Sequence, residues 1–255
     1  MQAYVSSEIK KNIAEITFGT PKSNSLPSEI LEKLAQTILV EAAKEEVKII
    51  LLKSYGDKAF CAGASFDELL EINDLETSKK FFGGFAKVLN AMRTCGKIVV
   101  VRVQGKTTGG GVGIACAADY CFATENASLA LTEINLGIGP FVIGPYVERK
   151  IGKSQFTAMA IDADFRSANW AEQHNIYHSV SPTIAEMDAE ITRFLEKLAS
   201  RSSDALALIK KVSWEGTEHF EKLMPERILM SASLLLEDST KANIEKIKQN
   251  LGKKN

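Results

Sequence analysis

The chain of 255 residues lacks the marks of several large classes of protein. No stretch approaches the roughly 18 consecutive apolar residues that a membrane-spanning helix needs, so no membrane role is expected. The opening residues, MQAYVSSEIKKNIAEI, have no apolar centre of the kind an export signal carries. Lysine and arginine total 31 against 32 acidic residues, a formal charge of −1, and no segment is strongly basic. Nucleic acid is therefore not an expected partner. The four cysteines, Cys61, Cys95, Cys116 and Cys121, form no C-x-x-C pair and sit among apolar or small neighbours. That pattern argues against zinc and for reduced thiols in a core. Together with the missing export signal, it makes the cytoplasm the expected compartment. His174, His178 and His219 share no spacing with a nucleophile or a metal partner. Internal repeats and low-complexity tracts are also missing.

What is present is an ordinary globular composition, 45% hydrophobic, with the length for one large domain or a domain with an appendage. Ile13 to Phe18 reads as a strand with one buried face, and Ser28 to about Lys44 as an amphipathic helix capped by the Ser28 hydroxyl. Val47 to Leu52 and Ile98 to Val103 are short apolar runs that read as buried parallel strands. Phe66 to Ile72 and Ser78 to Met92 are helical, the second with Phe81, Phe82 and Phe85 on its apolar side. A helix is expected from Ser154 to Ile161. Next come a short strand near Phe165, a helix from Ala168 to His174 that stops at a left-handed Asn175, and a strand over Tyr177 to Val180. Beyond Pro182 the pattern turns helical: Ile184 to Ser200, Ser203 to Trp214, Phe220 to Leu236 and Lys241 to Asn250. Strands alternating with helices predict an α/β fold with largely parallel strands, in a core domain over 1–195 and a helical region over 196–255.

The chemistry is expected between Val101 and Pro140. A strand leads there into Gly109, Gly110 and Gly111, and then into the start of a small-residue helix. The first turn of a helix has amides without partners and a partial positive charge, which suits a developing oxyanion. Glu133 lies among Leu129, Leu131, Ile134 and Leu136, where an unneutralised carboxylate is costly unless it has a task. Asp119 is expected to bond backbone rather than do chemistry, and Glu68 and Glu71 to lie on a solvated helix face. Ser65 has no base nearby in sequence, which argues against a serine nucleophile.

Three segments together resemble the crotonase superfamily, the enoyl-CoA hydratase/isomerase family: FCAGASFDEL at Phe60 to Leu69, VQGKTTGGGVGIACAADYCFAT at Val103 to Thr124, and LALTEINLGIGP at Leu129 to Pro140. The resemblance extends over most of the chain. It implies a spiral of β–β–α units, a helical C-terminal region that forms homotrimers or homohexamers, and an acyl-CoA substrate with no further cofactor. It also implies that the amides of Ala64 and Gly110 hold a thioester enolate while Glu133 moves protons. Ala62, Ala64, Ser65, Phe66, Asp67, Gly110 and Gly113 would border the substrate.

The sequence departs from the family pattern at two of these positions. Gly113 stands where the best-known hydratases carry the first of two glutamates, Glu133 being the second, and Ser65 stands where Asp is usual. The run from Pro140 to Val147, with Gly113, is most similar to bacterial methylglutaconyl-CoA hydratase-like members, implying hydration of a branched enoyl-CoA in leucine breakdown. A double-bond isomerase needs only one proton shuttle and is the alternative. A catalytically silent acyl-CoA binder is the third reading. Lys80, Lys87, Arg93 and Lys106 are the candidates to pair with a substrate carboxylate.

Overall fold

The computed structural model describes residues 1–252. The buried apolar runs form the middle of a six-stranded sheet. Its strands lie side by side as β1 (Tyr4–Lys10), β2 (Ile13–Gly19), β3 (Ile49–Ser54), β5 (Ile98–Val103), β7 (Tyr120–Thr124) and β10 (Ser179–Ser181). All neighbours are parallel except β1 and β2. Short strands β4 (Ala59–Cys61), β6 (Lys106–Thr108), β8 (Ser128–Ala130) and β9 (Arg166–Ser167) make a second sheet of four. Successive strands β3, β5 and β7 each continue into one strand of the small sheet, and that strand leads into helix. The chain thus turns as repeated β–β–α units, and each turn carries a loop to the same edge.

The helices are α1 (Ser28–Ala42), α2 (Phe66–Glu71), α3 (Leu75–Thr94), α4 (Gly110–Ala117), α5 (Gly144–Asp162), α6 (Ala168–Gln173), α7 (Ile184–Ala199), α8 (Ser203–Ser213), α9 (Phe220–Leu235) and α10 (Asp238–Gly252), with a 3-10 turn over Glu133–Leu136. Leu31, Leu34 and Ile38 of α1 and Val88, Leu89 and Met92 of α3 join one face of the large sheet in the main core. Met187, Ile191 and Leu195 of α7 cover Ile49, Leu51, Val100 and Phe122 on the other. No helix among the described residues is long and apolar enough to cross a membrane.

Asp119 does bond backbone, and more. Its Oδ2 accepts the Val99 N–H at 2.8 Å and the buried Lys210 Nζ at 2.6 Å, while Oδ1 accepts Trp214 Nε1 at 2.8 Å. One carboxylate so ties α8 to the centre of the sheet. Asn175 takes the left-handed conformation expected of it, with φ of 62°.

Some local expectations need correction or completion. The Ser28 hydroxyl does not cap α1: it is buried without a partner, and the Ser28 N–H donates instead to Glu68 Oε2 at 2.7 Å. Glu68 is accordingly a cap from a neighbouring helix, not a solvated side chain. The helix expected from Ser154 is present, and a helical segment that the pattern did not show precedes it from Gly144. Pro145 is tolerated in a first helical turn because the missing N–H there has no partner to lose, and Gly152 interrupts the helix with φ of 76°. Strand β1, unassigned from the pattern, pairs with β2 through a hairpin in which Lys11 and Asn12 both have positive φ.

Candidate active site

The glycine triplet does what its composition permits. Gly109 sits at φ 52° just before α4, and Gly110 opens the helix. A methyl group placed on Gly110 would lie 2.2 Å from Phe85 Cζ, so the ring of α3 packs directly against this glycine. The segment after β4 comes against the same point. Leu26 and Ala64 form a parallel bridge, with the Leu26 N–H donating to Gly63 O at 2.8 Å and the Ser65 N–H to Leu26 O at 3.1 Å. Gly63 adopts φ 81°, and a methyl group on it would lie 3.3 Å from Thr108 O and 3.8 Å from Gly110 N. The amides of Ala64 and Gly110 lie on either side of that bend and donate to no acceptor among the described residues. Two free N–H groups beside a helix N-terminus can hold one oxyanion.

Ala64 and Gly110 both line a cavity of about 310 Å³. Ala62, Ala64, Phe66, Gly110 and Glu133 line it, and so do Phe81, Phe82 and Phe85. Glu133 heads its 3-10 turn, and its Oε1 is 3.2 Å from where a methyl group on Gly109 would stand. The residue is half-buried, yet its Oε2 is shut from solvent with no hydrogen-bond partner among the described residues. Burial pushes the carboxyl up to about 7, and the backbone N–H groups of Glu133 and Thr132 offset this only in part. Near neutrality such a group can both accept and return a proton.

Other residues named from the sequence fall outside the cavity wall. Ser65 caps α2 by accepting the Glu68 N–H at 3.4 Å, and Asp67 pairs with Lys22 at the surface. Gly113 is buried behind the wall: a methyl group there would meet Ile143 Cγ2 at 2.7 Å and Leu89 Cδ1 at 3.2 Å. No side chain fits at 113 without displacing both, because the overlap is with packed core atoms. Gly113→Ala is expected to cost about 1–3 kcal/mol by overpacking, read as a lower midpoint in urea with an unchanged m-value.

None of the four candidate cations reaches the cavity. Lys87 pairs with Glu32, and Arg93 bonds Asn90 and Glu221, each at 2.8 Å. Lys106 stands 4.0 Å over the Phe165 ring, and Lys80 is exposed outside the wall. Glu133 is the one ionisable side chain among the described lining residues. Conversely, Asn135 and Phe141 line the cavity from motif segments in which they had no assigned role, and Ser231 and Ile247 line it unannounced by any motif. The last two come from α9 and α10, and no local pattern could have linked them to Gly110.

A family model described as enoyl-CoA hydratase/isomerase matches residues 8–246. The chain is 33% identical over 165 residues to the short-chain-enoyl-CoA hydratase of Clostridium acetobutylicum, covering 62% of this chain and 62% of that protein. It is 24% identical over 224 residues to the trans-2-decenoyl-acyl-carrier-protein isomerase of Streptococcus mutans, covering 84% of each. Among solved structures, an enoyl-CoA hydratase from Bacillus halodurans superposes with a TM-score of 0.88 at 20% identity, over 95% of this chain and 99% of that one, which concerns the fold alone.

Proposed function

Because the chain belongs to the enoyl-CoA hydratase/isomerase family, within the crotonase superfamily, we propose that it adds water across the double bond of a short, uncharged enoyl-CoA, with Glu133 as acid and base. The buried, unpartnered Oε2 of Glu133, on the wall that also holds the Ala64 and Gly110 amides, carries this reading. A buried carboxyl oxygen left without a protein partner calls for one from outside the chain, and a water molecule supplies it.

The thioester oxygen takes the two amides. Glu133 accepts a proton from water as the water oxygen bonds to C3, and the displaced π electrons move to the thioester oxygen as an enolate. The amides hold that charge, and a preorganised donor of this kind contributes roughly 10²–10³ in rate. Glu133 then returns the proton to C2 from the same side, so addition is syn and the carboxylate is regenerated. The scheme needs no cofactor beyond the CoA ester.

The apolar wall bears on the acyl group. A methylglutaconyl chain would bring its own carboxylate to a surface with no cation among the described lining residues, at a high desolvation cost. An uncharged linear or branched acyl chain meets the three phenylalanines without that cost. Assembly into three or six copies belongs to the same reading, and the exposed apolar face of α8, with Leu208, Ile209 and Val212, supports it.

The closed packing at Gly113 favours a second reading. With one carboxyl and no second acid, a proton could pass between C2 and C4 and shift the double bond. Turnover of crotonyl-CoA and of a 3-enoyl-CoA in heavy-oxygen water separates the two. Hydration is expected to place one heavy oxygen at C3 of the product, whereas a migrated double bond with no label would replace the first reading by the second. CoA esters that bind and are never turned over would leave a silent binder.

A further inference from the structure

The 3-10 turn that presents Glu133 is only four residues long, and it does not stand by itself. It closes through Gly137, whose N–H donates to Ile134 O at 3.0 Å, and through Ile138, whose N–H donates to Glu133 O at 3.2 Å. Gly137 is left-handed, with φ of 95°. That carbonyl accepts the hydroxyl of Thr240, from the first turn of α10, at 3.3 Å.

Contact here is close on both sides. A methyl group on Gly137 would lie 2.7 Å from Thr240 Oγ1 and 3.4 Å from Thr240 Cα. Thr240 is 1% exposed, so water has no access to substitute for its hydroxyl. Two further points on the same helix engage the site. Leu136 packs on the small cluster of Leu235 and Ile244, and Ile247 reaches the cavity wall. Thr240 and Glu133 lie more than a hundred residues apart in the chain, yet one carbonyl separates the brace from the turn.

We propose that Thr240 is a positioning residue for Glu133: by bonding Gly137 O it holds the 3-10 turn inward and keeps the carboxyl in the cavity wall. The C-terminal helix of the same chain is then a working part of the site. Loss of the bond lets the turn relax outward, and the carboxyl gains water. The charged groups on the α10 side, Glu237, Asp238, Lys241, Glu245, Lys246 and Lys248, are exposed, and Glu133 is the one ionisable side chain among the described lining residues. A change at Thr240 thus reaches Glu133 through its position rather than through a nearby charge.

The proposal rests on the proton-transfer role assigned to Glu133, and its test has one arm that does not need turnover. Full-length wild type, Thr240→Val and Thr240→Ser are compared by carbon-13 NMR titration of labelled glutamate carboxyls, the Glu133 signal being the one missing in Glu133→Gln. Thr240→Val keeps the shape and loses the donor. Its Glu133 midpoint is expected to move from about 7 toward the ordinary carboxyl range, and kcat to fall about 10- to 100-fold with KM nearly unchanged. Thr240→Ser is expected to restore both. A Thr240→Val protein that is less heat-stable but titrates like wild type, or a Thr240→Ser protein that behaves like Thr240→Val, overturns the proposal. If wild type turns over no enoyl-CoA, the functional reading fails, and the titration alone decides the role of Thr240.

Discussion

Glu133→Gln is expected to lower kcat on an enoyl-CoA by about 10²–10⁴-fold, the usual contribution of a positioned acid/base group. The substitution is nearly isosteric, so the cavity and both amides stay in place and KM changes little. What disappears is the ability to take a proton from water and give it back. The same variant carries a stability signature of opposite sign. Burial raises the Glu133 carboxyl to about 7 in the folded chain, above its ordinary value of 4.5. The corresponding contribution to stability is fully present below about pH 4.5 and is lost as the pH rises through 7. Glutamine does not ionise, so the variant avoids that loss. Its melting temperature is expected to match wild type near pH 4 and to exceed it at pH 8, a trade of stability against activity confined to one carboxyl.

Gly110→Ala carries the second large effect, an expected loss of at least about 10² in kcat/KM, comparable to removing one oxyanion donor. The N–H itself survives the substitution. Its surroundings do not, because the new methyl group would stand 2.2 Å from Phe85 Cζ and within 2.5 Å of two further ring atoms. Either the ring moves across the cavity and takes space from the acyl chain, or α4 shifts away from Ala64 and separates the paired amides. Phe85→Leu in the same chain removes the ring and is expected to recover part of the loss. That non-additivity is the sign of a direct contact. If the double variant is as impaired as the sum of the single ones, the ring is not the cause.

Chemically informative residues were more legible in sequence than the geometry that joins them. Ile98–Val103 was readable to the residue because a run of β-branched apolar residues, interrupted only by Arg102, lies between Gly96 and Gly105. Glu133 stood out because a carboxylate among leucines needs a reason, and Gly110 because three glycines precede a helix of small residues. Most strands of the small sheet escaped: at three residues each, β4, β6 and β8 are too short to show a period, and only β9 was foreseen, as the short strand near Phe165. Helix ends were legible at Asn175 but not at the N-termini: the Ser65 cap of α2 was not foreseen, and the cap of α1 is Glu68, forty residues away from Ser28. The same limit hid Ser231, Thr240 and Ile247, whose relation to the site exists only after α9 and α10 fold back over it. Gly113 was readable as a missing acid, but its packing against Ile143 and Leu89, which leaves no room for one, was not.

The pH dependence of kcat/KM for crotonyl-CoA hydration, measured from pH 5 to 9 on wild type and Glu133→Gln, tests the single-carboxylate account most directly. The account predicts that wild-type activity rises through one ionisation near pH 7, as the Glu133 carboxylate forms to accept the proton of water, and that this limb is absent from the residual activity of Glu133→Gln. A limb that persists near pH 7 in Glu133→Gln, or a variant that keeps wild-type activity, would contradict it and place the acid/base group elsewhere.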